Sequence, residues 1–84
     1  MNVQDKVIVV TGAADGIGAA LARRFAREGA RHVAVVDRNG EGARAVAAEI
    51  GGKAYETDVS DGAAVAAMVA AVEAAQGHID LFCS

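Results

Sequence analysis

The chain contains no proline and no tryptophan, and only one cysteine, one tyrosine and two phenylalanines among 84 residues. A single cysteine, Cys83, excludes an internal disulfide and any multi-cysteine metal site, and it suits a reducing compartment. The lysines and arginines form no basic stripe and the formal charge is a mild -3, so nucleic acid is not an expected partner. The longest apolar stretch, AAVAAMVAAV from Ala63 to Val72, is about half the roughly 20 residues a membrane span needs, which argues against a membrane protein. The start, MNVQDK, lacks the basic region and apolar core of an export signal. Together these absences lead us to expect a cytoplasmic protein.

What is present is apolar and rich in alanine, with 54% hydrophobic residues. That composition argues for a packed α/β or helical domain and against disorder. A chain this short buries only roughly 60–65% of the surface it exposes when unfolded, so we expect one small domain with a marginal core.

Strand and helix patterns alternate from end to end. KVIVVT (Lys6 to Thr11) is β-branched and apolar on both alternating faces, as expected of a strand covered on both sides. From Gly16 the period changes: Ile17, Leu21 and Phe25 recur at i+4, with Arg23, Arg24, Arg27 and Glu28 off that line, predicting an amphipathic helix that stops at Gly29. RHVAVVD (Arg31 to Asp37) is a second strand. Ala43, Val46, Ala47 and Ile50 give a second helix, closed by Gly51 and Gly52. KAYET (Lys53 to Thr57) makes a third strand. A third helix spans about Asp61 to Gln76, with Val65, Met68, Val69 and Val72 as its stripe, Ser60 as its expected cap and Gly77 as its stop. IDLFCS begins a fourth strand. The order β-α-β-α-β-α-β with short loops implies right-handed crossovers and a parallel sheet.

The chemistry concentrates in TGAADGIG, Thr11 to Gly18, where the first strand turns into the first helix. A helix N-terminus offers unpaired N–H groups and a partial positive charge, and glycines let a phosphate approach them. In this reading Gly12 makes the tight turn, Gly16 leaves room for a pyrophosphate, and Gly18 lets the helix pack close to the strand. Three glycines could merely shape a turn. Asp37, 19 residues beyond Gly18 at the end of the second strand, stands where the dinucleotide fold places an acid for ribose hydroxyls, and the two features together point to a dinucleotide site.

These residues resemble the short-chain dehydrogenase/reductase family. TGAADGIG is similar to its Thr-Gly-x-x-x-Gly-x-Gly element, and VVDR, TDVSD and HIDLFCS follow in that family's order and spacing, over essentially the whole chain. The resemblance implies a Rossmann-type doubly wound parallel sheet in strand order 3-2-1-4, a single dinucleotide-binding unit over residues 1–84. It also implies a cofactor site drawn from Gly12, Ala14, Asp15, Gly16, Ile17, Gly18, Asp37, Arg38, Asp58, Val59 and Ser84. Within it Asp37 would accept the adenosine ribose hydroxyls, Asp58 and Val59 would line the adenine pocket, and Ser84 stands at the first Asn of the family's Asn-Asn-Ala-Gly. NAD is favoured over NADP, because the Asp37 carboxylate repels a 2′-phosphate. Arg38 pulls the other way, since a guanidinium can pair with that phosphate.

The resemblance further implies a serine, a Tyr-x-x-x-Lys pair and a supporting asparagine for hydride exchange with an alcohol or ketone, and none of these stands at a matching position here. Tyr55 is followed four places on by Val59 and reads as a packing residue. Cys83 reads as a small buried hydrophobe, and His32 and His78 as solvated residues with no metal partner. In the order 3-2-1-4 the fourth strand is an open edge, and with one helix on the second face the VIVV and VAVV strands are expected to be partly bare. We therefore expect the segment to be the cofactor-binding N-terminal part of a longer, homo-oligomeric oxidoreductase, a tetramer or dimer by resemblance, and to lack activity alone. The alternatives are a non-catalytic half-Rossmann nucleotide-binding module, dimeric through its open edge, and a different Rossmann-like enzyme.

Overall fold

The structure, a computed structural model, describes residues 2–84. Seven elements alternate along the chain: β1 (Val7–Thr11), α1 (Gly16–Arg27), β2 (His32–Asp37), α2 (Gly40–Ile50), β3 (Lys53–Glu56), α3 (Gly62–Gln76) and β4 (Leu81–Cys83). All three strand pairings are parallel, in the order β3-β2-β1-β4. Val9 lies opposite Ala34 on one side and Phe82 on the other, so β1 is the axis of the sheet.

Because side chains alternate across a strand, β1 and β2 feed two separate cores. Ile8, Val10, Val33 and Val35 meet α1 and α2 through Ala19, Ala22, Phe25, Ala43, Val46 and Ala47. Val7, Val9, Ala34 and Val36 meet α3 through Met68 and Val72, with Val65, Val69 and Tyr55 at the margin. Contrary to the expectation of bare strands, Val7 to Val10 and Val33 to Val36 are all at most 3% exposed. One helix suffices on the second face because these side chains are small. The under-covered strand is β4, where Phe82 is 43% exposed.

The face that α1 buries also differs from the expected stripe. Phe25 is buried, but Ile17 is 81% and Leu21 37% exposed, while Ala19 and Ala22 are wholly covered. Small side chains let the helix axis come close to the sheet, so the contact line runs through the alanines and leaves the larger Ile17 outside. The α2 and α3 stripes lie where the periodicity put them. The cap of α3 is Asp61, whose carboxylate accepts from the Ala63 and Ala64 N–H groups. Ser60 instead donates its hydroxyl to Asp58, 2.7 Å away. His32 is half-buried rather than solvated, and its Nε2, like the Tyr55 hydroxyl, is enclosed without a hydrogen-bond partner among the described residues. Burial, with the Lys53 charge nearby, lowers the His32 pKa.

Candidate functional site

In a parallel sheet the crevice for a ligand opens beyond the carboxyl ends of the strands, where the strand order reverses. Here the chain goes from β1 outward to β2 and β3, then returns to place β4 on the other side of β1. The reversal is bridged at the top: the Thr11 hydroxyl lies 3.2 Å from Ser84 Oγ and 3.4 Å from the Cys83 carbonyl.

The glycine loop leaves β1 at that point. Gly12 and Gly16 have φ of +65° and +58°, a left-handed conformation that a side chain resists. Gly18 is constrained by space: a Cβ there would run into the Gly12 carbonyl, 2.6 Å from its carbon and 3.0 Å from Ala13 Cα. The third glycine thus seats the first turn of α1 against the loop itself, not against the strand as the sequence suggested.

The start of α1 carries no side-chain cap. Asp15 holds the N-cap position in an extended conformation and makes no side-chain bond to the turn that follows. By contrast Asn39 caps α2 through Gly42 N and Asp61 caps α3. The first N–H groups of α1 are therefore open to an external acceptor, at the positive end of the helix dipole. Gly16 and Ile17 beside them are exposed.

Asp37 is the last residue of β2, half-buried, and its carboxylate is held at both oxygens. Oδ2 accepts from Ala14 N–H at 3.1 Å and Oδ1 from Asn39 N–H at 2.9 Å. Its backbone joins the neighbouring segments too: its carbonyl accepts from Thr57 N–H at 3.0 Å, and the adjacent Val36 carbonyl accepts from Ala13 N–H at 3.1 Å. A shallow cavity of about 140 Å³ opens there, lined by Gly12, Asp37, Arg38, Thr57 and Val59. Asp58 borders it in a tight turn, accepting both the N–H and the hydroxyl of Ser60. The Ser60 hydroxyl, then its N–H, and more weakly the Arg38 charge hold the Asp58 carboxyl below its ordinary pKa.

The structure therefore lines one hollow with Gly12, Asp37, Arg38, Thr57 and Val59. Ala14 joins it through its bond to Asp37, Asp58 lies between two lining residues in the chain, and Asp15, Gly16, Ile17 and Gly18 form the open helix end. Ser84 stands apart, across Thr11. Sequence reasoning passed over Thr57, which TDVSD contained but which was assigned to the strand, and Asn39, whose only signal was its place before Gly40. A larger hollow of about 260 Å³, lined by Asn2, Val3, Lys6, Asp80 and Leu81, lies at the opposite, amino ends of β1 and β4, away from the crevice. No group of three or more His, Cys, Asp or Glu side chains suited to a metal occurs among the described residues.

Residues 6–84 match the model of the short chain dehydrogenase family. The chain belongs to this family. The short-chain dehydrogenase relatives include D-threitol dehydrogenase of Mycolicibacterium smegmatis, 51% identical over 81 residues, covering 90% of this chain and 31% of the relative. Sorbitol dehydrogenase of Cereibacter sphaeroides is 46% identical, over 96% of this chain and 32% of its own length. Among solved structures, 3-ketoacyl-(acyl-carrier-protein) reductase from Brucella melitensis, complexed with NADH, superimposes with a TM-score of 0.91 at 41% identity. That match covers 95% of this chain and 34% of the reductase. The chain thus spans about a third of the length of the short-chain dehydrogenases it matches, and its sheet order is that of their Rossmann fold. No helix among the described residues is long and apolar enough to cross a membrane.

Proposed function

We propose that this chain is the NAD-holding portion of a short-chain dehydrogenase that exchanges hydride with an alcohol or ketone carbon. The observation that carries it is the Asp37 carboxylate, pinned beside the glycine loop and lining the hollow with Gly12, Arg38, Thr57 and Val59. NAD, when bound, supplies the hydride chemistry, and the protein supplies binding and orientation.

The residues fit that group. The uncapped first turn of α1 offers N–H donors to a pyrophosphate, and the absence of side chains at Gly12 and Gly16 leaves the approach clear. Ala14, Asp15 and Ile17 border the same opening, Ile17 contributing an exposed apolar side chain. Each Asp37 oxygen keeps an acceptor site after its one backbone bond, enough for the two ribose hydroxyls. A 2′-phosphate would meet a fixed negative charge instead, which favours NAD over NADP. Arg38 and Asp58 flank the ribose and adenine, Val59 offers an apolar wall, and Ser84 closes the crevice on the β4 side. Proton transfer belongs to residues outside these 84, so this portion alone holds the cofactor without turning it over.

The names of two relatives, D-threitol and sorbitol dehydrogenases, support an alcohol as substrate. The lone half-buried cysteine supports a cytoplasmic setting, and the under-covered β4 supports an N-terminal portion within a larger, oligomeric enzyme. Calorimetric titration with NAD and NADP, repeated with Asp37→Ala, tests the assignment. Tighter binding of NAD than of NADP, with the difference lost in the variant, is the expected result.

A further inference from the structure

We infer that Asn39 and Gly42, at the start of α2, are positioning residues that set the Asp37 carboxylate and thereby govern the choice between an adenosine with a free 2′-hydroxyl and one with a 2′-phosphate. This rests on the NAD-holding reading of the site.

The inference starts from the two donors that fix Asp37. One is Ala14 N–H in the glycine loop and the other is Asn39 N–H at the start of α2. Neither donor is independent of α2. Asn39 is its N-cap: the side-chain Oδ1 accepts from Gly42 N–H at 3.1 Å and the carbonyl accepts from Ala43 N–H at 3.0 Å. These two bonds anchor the Asn39 side chain and carbonyl to α2, and so limit where its N–H, on the preceding peptide, can point, holding it toward Asp37. Gly42 in turn has no room for a side chain, because a Cβ there would lie 2.8 Å from Asn39 Nδ2 and 2.9 Å from Ala14 Cβ. The first turn of α2 therefore abuts both residues that donate to Asp37, and Gly42 is the point of contact.

Charge discrimination depends on that arrangement. A carboxylate held at the ribose position accepts from a diol and repels a phosphate. Released from either donor, it can turn away, and the neighbouring Arg38 guanidinium, which is exposed, is left to attract the phosphate. Loosening the start of α2 should lower NAD affinity more than NADP affinity, although neither Asn39 nor Gly42 lines the hollow.

The test measures NAD and NADP affinity on the full chain for the wild type, Asn39→Ala, Asn39→Ser, Gly42→Ala and Asp61→Ala. Asp61→Ala removes the equivalent cap from α3, whose side-chain bonds go to Ala63 and Ala64 N–H and not to Asp37 or its donors, and controls for lost stability. Breaking one bond to a charged acceptor predicts about a tenfold fall in the NAD-to-NADP affinity ratio for Asn39→Ala and Gly42→Ala. Asn39→Ser, which keeps a capping oxygen, should restore the ratio. Asp61→Ala should leave it unchanged while lowering the melting temperature. If Gly42→Ala fails to fold, the Asn39 pair decides alone. A wild type that binds and discriminates, with Asn39→Ala matching Asp61→Ala in ratio, overturns this inference and leaves the NAD-holding reading standing. A wild type that binds neither dinucleotide overturns both.

Discussion

Ala14 N–H donates to Asp37 Oδ2 across 3.1 Å, joining the glycine loop to the end of β2 although the two residues are 23 positions apart. The loop and the acid, which the sequence shows as separate signals, are one hydrogen-bonded unit. Its charge can be removed without altering the sheet, since Asp37 is the last residue of its strand. Asp37→Ala should weaken NAD binding by roughly 10- to 100-fold, the usual range for a lost charge-assisted bond. It should leave NADP binding equal or improved, as competition titrations would show.

Gly18 offers a test of the loop's packing. Gly18→Ala forces a methyl into the Gly12 carbonyl, and backbone atoms on both sides must move, a cost of about 1–3 kcal/mol of stability. Gly62, in the first turn of α3, has open space around it, and Gly62→Ala should be neutral or stabilising by up to about 1 kcal/mol. Urea unfolding of the two variants should move the midpoint in these opposed directions.

Acid should destabilise the fold. The Val7 N–H at 2.8 Å, with His78 in a lesser role, holds the Asp80 carboxyl below its ordinary pKa. Ser60 does the same for Asp58, Arg24 for Glu28 and Arg23 for Glu49. Each folded pKa lies below the unfolded value near 4, so the unfolded chain takes up protons first as pH falls, and stability present above about pH 4 is lost below it. Asp80→Asn keeps an acceptor for Val7 N–H but does not titrate. It should flatten the pH dependence of the urea midpoint in that range.

A second window belongs to His32, whose pKa is lowered by burial and by the Lys53 charge. Here too the unfolded chain binds the proton more readily, so stability present above about pH 6.5 declines as pH falls toward the lowered folded value. Replacing His32 with valine, a strand former without a titrating group, should reduce the fall in melting temperature between pH 7 and pH 5.5.

The alternation of strands and helices was legible because β1 and β2 are apolar, mostly β-branched runs, β1 followed by Gly12 and β2 set between Gly29 and Gly40. Helices α2 and α3 were legible because Val46, Met68 and Val72 carry their stripes. Helix α1 was misread at Ile17 and Leu21, since periodicity weights large side chains, whereas Ala19 and Ala22 make the contact by being small. Ser60 and Asp61 are both capping types, and only geometry shows that Ser60 is committed to Asp58. At the site, Gly12, Gly18 and Asp37 announced themselves by spacing. The role of Asn39 could not be read, because it is a main-chain N–H, which every residue except proline possesses.

The most direct test of where a dinucleotide sits is an amide NMR titration with NAD. The structure predicts the largest shifts at Gly12, Ala14, Gly16, Ile17, Gly18, Asp37, Arg38 and Val59. Shifts gathered instead around Val3, Lys6, Asp80 and Leu81, or no shifts at saturating NAD, would contradict the account.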